Sequence, residues 1–98
     1  RSMTEQELKQ KYGKIYRIDL TDDGDKYTAY FRRPDFDTLS AFAKLANTDS
    51  VKAAKILVTN LFIGGDEIVK DDAILIMNAG AQLAQVVNLS SVPELKKI

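Results

Sequence analysis

Three observations predict an α+β fold for this chain of 98 residues. Two runs rich in β-branched and aromatic residues, KIYRIDL and KYTAYFRR, flank Asp23-Gly24, a dipeptide suited to the positive φ angles of a tight hairpin turn. After Pro34 the apolar residues recur every three or four positions, the period of a helix. The chain is too short for two cores, so hairpin and helices must share one. The expected order is a short N-terminal helix, one antiparallel β-hairpin, then three helices packed on one face of the hairpin, in a single domain over residues 3–98. Arg1 and Ser2, ahead of Met3, read as an expression scar outside that domain.

In TEQELKQKYG, Thr4 and Glu7 stand at capping-box spacing, Glu5/Lys9 and Glu7/Lys11 are i,i+4 pairs, and Gly13 is placed to stop a short, mostly exposed helix. A turn at Asp23-Gly24 sets Leu20 opposite Tyr27, Ile18 opposite Ala29 and Tyr16 opposite Phe31. Six apolar side chains then share one face, and a one-residue slip would turn them all to water. Asp35 is an N-cap candidate for FDTLSAFAKLAN, whose Phe36, Leu39, Phe42, Ala43 and Ala46 fall on one helical face. TDSVKAAKILVTNLFIGG puts Val51, Ala54, Leu57, Val58, Leu61 and Phe62 on one stripe, with Gly64-Gly65 as the expected C-cap.

Asp71-Asp72 should cap a last helix, from about Asp72 to Leu89, inside the charge-free stretch AILIMNAGAQLAQVVNLSSVP. Asn78, Gln82, Gln85 and Asn88 form a polar strip along it, too much hydrogen-bonding capacity for a lone span in lipid, so no membrane role is expected. A chain of this size has little interior for a helix apolar around most of its circumference. Ile74, Ile76, Met77, Leu83, Val86 and Val87 are therefore candidate partner-binding residues. In the tail SSVPELKKI, Pro93 prevents simple continuation of that helix.

Composition excludes more than it assigns. Fourteen basic and fourteen acidic side chains give zero net charge, which supplies no field toward nucleic acid or an anionic membrane and does little to oppose self-association. Without cysteine or histidine there is no thiolate nucleophile, no zinc-thiolate site and no common general base, so no enzyme, metal or other cofactor is expected. The absence of cysteine and of an apolar leader in residues 4–14 favours a cytoplasmic location.

Four motifs compete with that view. Gly64-Gly65-Asp66-Glu67 spells the signature of diguanylate cyclases, but those enzymes carry it on a hairpin in a much larger domain, and here helical patterns flank it. Asp19, Thr21, Asp23, Gly24 and Asp25 match half of a calcium loop, yet the twelfth position is Tyr30 rather than glutamate, and strands flank it. Asp66, Glu67, Asp71 and Asp72 would suit a hard cation if they converged, whereas helix capping accounts for the last two. Tyrosines interleaved with Lys14, Arg17, Lys26, Arg32 and Arg33 mimic a base-stacking sheet, but the strand pleat turns Tyr16, Tyr27 and Phe31 toward the apolar side.

From about Gly13 to its end the chain resembles the small tail assembly chaperones of long-tailed bacteriophages and prophages. The resemblance rests on KYTAYFRRPDFDTLSAFAKLANTD, where a strand ends in basic residues and Pro34-Asp35 before a helix, on KAAKILVTNLFIGGDEIVKDD, and on the closing ELKKI. It implies a non-enzymatic protein of the bacterial host cytoplasm that binds and solubilises the hydrophobic, helical tape measure protein during tail assembly, and that oligomerises without a cofactor. The alternative expectation is a small homo-oligomeric structural or interaction domain.

Overall fold

The computed structural model describes residues 4–91, with side chains placed through Val87. Helix α1 (Glu5–Tyr12) leads into strands β1 (Ile15–Asp22) and β2 (Asp25–Arg32). Helices α2 (Phe36–Leu45) and α3 (Ser50–Leu61) follow, then strand β3 (Phe62–Gly65), a 3₁₀ turn (Glu67–Lys70) and helix α4 (Ala73–Ser91). The result is an α+β fold on an antiparallel sheet of order β1-β2-β3.

The hairpin has the register expected from burial, with Leu20 opposite Tyr27, Ile18 opposite Ala29 and Tyr16 opposite Phe31. Asp23 (φ 52°) and Gly24 (φ 85°) both take positive φ, the geometry of a two-residue turn that follows the strand twist. One sheet face carries Ile18, Leu20, Ala29 and Phe31 into a core completed by Leu57, Val58 and Leu61 of α3 and Leu75, Ala79 and Leu83 of α4. Helix α2 packs on α3.

The N-caps at Thr4, Asp35 and Asp72 fall where the sequence placed them, and Asp49 caps α3 in the same way. The Thr4 hydroxyl accepts the Glu7 N–H (3.2 Å) while the Glu7 carboxylate accepts the Thr4 N–H (2.8 Å). Asp35 accepts from Thr38 N–H, Asp49 from Lys52 N–H, and Asp72 from both Ile74 and Leu75 N–H.

Four expectations need correction. FIGG does not finish and cap the helix before it: α3 stops at Leu61, Phe62 turns extended (φ −61°, ψ 127°), and the segment pairs with β2 as a third strand. Periodicity missed this because Phe62 suits either geometry; as a strand residue it sets its ring edge-on to Phe31, centroids 5.9 Å apart. Second, α2 reaches the core only at its margin: Leu39 and Phe42 pack against the cluster that α3 and α4 build on one sheet face, while α1 covers the opposite face, where Leu8 is fully buried beside Gly64. Third, of the face expected for α2, Leu39 and Phe42 pack against the core, but Phe36 is 82 % exposed and Ala43 is exposed, and Thr38 is the buried residue of a helix that rests chiefly on α3. Fourth, Val51 is 59 % exposed, off the buried stripe of α3. The tail from residue 92, with Pro93 and ELKKI, lies outside the described residues.

Candidate functional site

The cyclase-like tetrad is structural in this fold. Gly65 has φ 95°, and a Cβ there would fall on the Thr28 carbonyl oxygen and 2.8 Å from the Ala29 Cα, so only glycine lets β3 lie this close to β2. Asp66 then clamps the same place: its N–H donates to the Thr28 carbonyl (2.8 Å) and its carboxylate accepts the Thr28 N–H (2.8 Å). Glu67 pairs with Lys70 at 3.5 Å. With Asp72 on the α4 cap, the four carboxylates of residues 66–72 do not converge, and among the described residues no three acidic side chains gather to hold a metal ion. Asp19, of the calcium-like run, accepts from the Thr28 hydroxyl (2.7 Å) and from Arg17 Nε (3.2 Å).

The same bonds shape the electrostatics of the sheet face under α1. The Thr28 hydroxyl, with Arg17, holds the Asp19 carboxyl below the usual carboxylate range, and Asp19 in turn raises the Arg17 guanidinium. Arg17 also lies 3.7 Å from Glu5, whose carboxylate accepts from the Tyr30 hydroxyl at 3.4 Å. Burial, then nearby aspartates led by Asp25, raises the Tyr27 hydroxyl.

The six candidate partner-binding residues divide. Leu83, Val87 and Ile76 are buried in the chain's own core, though Ile76 also lines a surface hollow beside Met77. Ile74 (58 % exposed) and Met77 (37 %) stand on the surface, and Val86 is half-buried. Of the polar strip, Asn78, Gln82 and Gln85 are exposed; the Asn88 side chain lies outside the described residues. Helix α4 is therefore covered on one side by α3 and the sheet, and among the described residues no helix is long and apolar enough to cross a membrane.

Met77 borders a groove lined mainly by apolar and small side chains. Helix α3 lies between α2 and α4, and where its facing residues are small the flanking helices enclose a groove of about 390 Å³. The floor is Ala53, Ala54 and Gly80; α3 and α4 approach so closely that a Cβ on Gly80 would sit 2.5 Å from that of Ala54. Phe42 and Ala46 form the α2 wall, and Met77, Ala81 and Ala84 the α4 wall. Asn47 and Ser50, at the connection between α2 and α3, supply polar groups at one end. Beyond Met77 a second hollow runs over Val51 toward Lys55 and Lys70, so the methionine side chain separates two recesses. Of the groove's lining, Met77 is among the candidate partner-binding residues, and Phe42, Ala46 and Ala54 belong to the apolar helical faces expected from the sequence. The signal for the rest was the run of alanines and glycine at helical spacing, Ala53-Ala54 and Gly80-Ala81-Ala84, which leaves space where larger residues would fill it.

The family model described as Domain of unknown function (DUF6848) matches residues 8–91. A solved structure, that of the uncharacterised protein rbstp2171 from Bacillus stearothermophilus, is similar at 28 % identity and a TM-score of 0.69, over 95 % of this chain and 100 % of that one. No curated protein matches the chain.

Proposed function

Because the chain belongs to the family described as Domain of unknown function (DUF6848), we propose its role from its own surface: a non-enzymatic holding protein that binds an amphipathic helical segment of a hydrophobic partner in the α2–α4 groove. The observation that carries this reading is the groove itself, with its apolar walls, its floor of alanine and glycine, and a flexible methionine at its lip. A bound helix would lay its apolar face between α2 and α4, the mode in which side chains at i, i+3 and i+4 serve as anchors. Met77, unbranched and polarizable, can repack around differing anchors, which suits a protein that holds a long partner at many places.

The partner class fits the resemblance to tail assembly chaperones, whose client is the helical tape measure protein. The test is fluorescence titration with labelled apolar helical segments of a tape measure protein encoded near this gene. Met77→Glu and Ala81→Glu place charge in the groove at exposed positions and should weaken binding about tenfold or more without lowering the melting temperature, since an unpaired charge facing an apolar surface costs upward of about 1 kcal/mol. Absence of binding, or binding that both variants leave intact, refutes the reading.

A further inference from the structure

The sheet has two edges, and they are finished differently. The β3 edge is only four residues long, carries Gly64-Gly65, and follows a register irregularity between Tyr30 and Phe31, so it offers little to a further strand. Strand β1 is eight residues of regular pairing without proline or bulge. Thr28 exchanges its backbone hydrogen bonds with Asp66 on the β3 side, so its register partner Asp19 must aim its own N–H and C=O away from β2. By alternation Ile15, Arg17 and Thr21 do the same, and among the described residues no backbone or side-chain group bonds to those outward groups.

We propose that this edge pairs with the β1 strand of a second copy, antiparallel about a two-fold axis at Ile18, to make a continuous six-stranded sheet. Charge selects the occupant and the register. Outward-aimed residues must face outward-aimed residues, which leaves registers differing by steps of two. Centring the axis on Asp19 sets Asp19 against its own copy, and centring it on Arg17 sets Arg17 against its own copy; like charges directly opposite are destabilising. Centring on Ile18 sets each Arg17 opposite the other copy's Asp19. The four charges then alternate around a square, with Ile15 opposite Thr21 at either end. Arg17 and Asp19 are both largely exposed in the single chain and already 3.2 Å apart, so the same-strand bond becomes one side of that square. Each of the four outward pairs exchanges two backbone hydrogen bonds, about eight in all. This surface is separate from the helical groove, so the two readings stand or fall independently.

The test is light scattering coupled to size exclusion across a concentration series, on the full chain and on charge reversals. The parent should dimerise at tens of micromolar. Arg17→Asp and Asp19→Arg should each weaken the dimer about tenfold or more, since two cross-strand pairs turn repulsive, and the double reversal should return it to near the parent value. The chain has no cysteine, which permits a register check independent of charge. Ile15→Cys/Thr21→Cys should oxidise to a covalent dimer, and Ile15→Cys/Asp19→Cys should not. A chain monomeric to about millimolar, a dimer that neither single reversal weakens, a double reversal that fails to recover, or cross-linking of the shifted pair in place of the expected one overturns the proposal.

Discussion

Replacing Gly65 with alanine tests the account of the tetrad, and Gly24→Ala supplies its control. Both glycines have positive φ, 95° and 85°, so each alanine meets a comparable backbone penalty of about 1–2 kcal/mol. At Gly24 the added Cβ has nothing within 4 Å. At Gly65 it meets the Thr28 carbonyl and the Ala29 Cα, both backbone of the central strand, which cannot swing aside as a side-chain tip would. Overpacking of that kind costs about 1–3 kcal/mol more. Moving β3 away would also lengthen the two bonds that tie Asp66 to Thr28.

Gly65→Ala should therefore destabilise by about 2–5 kcal/mol and Gly24→Ala by about 1–2 kcal/mol. With a urea slope of about 1–1.5 kcal/mol/M, their unfolding midpoints should differ by about 0.7–3 M. Gly64→Ala should fall nearer the control, since its Cβ would meet only a methyl of Leu8, at 2.9 Å. Equal losses at Gly65 and Gly24 would refute the claim that close strand approach, rather than backbone conformation alone, requires glycine there.

Three further outcomes are expected. Phe31→Ala should cost about 3–5 kcal/mol by urea unfolding, because the ring is fully buried, whereas Phe36→Ala at the exposed start of α2 should stay within about 0.5 kcal/mol of the parent. Hydrogen bonds from Thr38 depress the Asp35 carboxyl, with Arg32 helping; a group whose folded pKa is lowered adds stability above its unfolded pKa, near about 3.9, and loses it as pH falls through the folded value. Asp35→Asn, which keeps a capping oxygen, should thus lie below the parent in stability at neutral pH and converge with it in acid; a constant gap across that range would show that the charge contributes nothing. The purified chain should not turn over GTP, and a cyclic dinucleotide product would overturn the structural account of residues 64–67.

The hairpin was legible because burial and turn chemistry agree on one register: Asp23-Gly24 fixes the loop length, and only that pairing gathers Tyr16, Ile18 and Leu20 with Tyr27, Ala29 and Phe31. The caps at Thr4, Asp35 and Asp72 were legible because each needs only a short side chain near free N–H groups. The third strand was not. Leu61-Phe62 continues a helical stripe as well as it starts a strand, and the deciding partners, Thr28 and Phe31, lie thirty or more residues away in the chain. Local pattern carries no record of such a partner.

The groove was harder to foresee, for a related physical reason. Large apolar side chains on α4 stand out in the sequence, yet half of the six candidates, Ile76, Leu83 and Val87, are ones the chain buries itself. A helix sandwiched on one side presents its largest residues inward and leaves its smallest at the boundary, so a recess is written in missing volume rather than in exposed bulk. Gly80, Ala81 and Ala84 carry that signal, and it becomes readable only once Ala53 and Ala54 are known to face them across α3. Met77 stands at the boundary, where an apolar side chain beside an open recess suits contact with another helix better than it suits the enclosure of a small molecule.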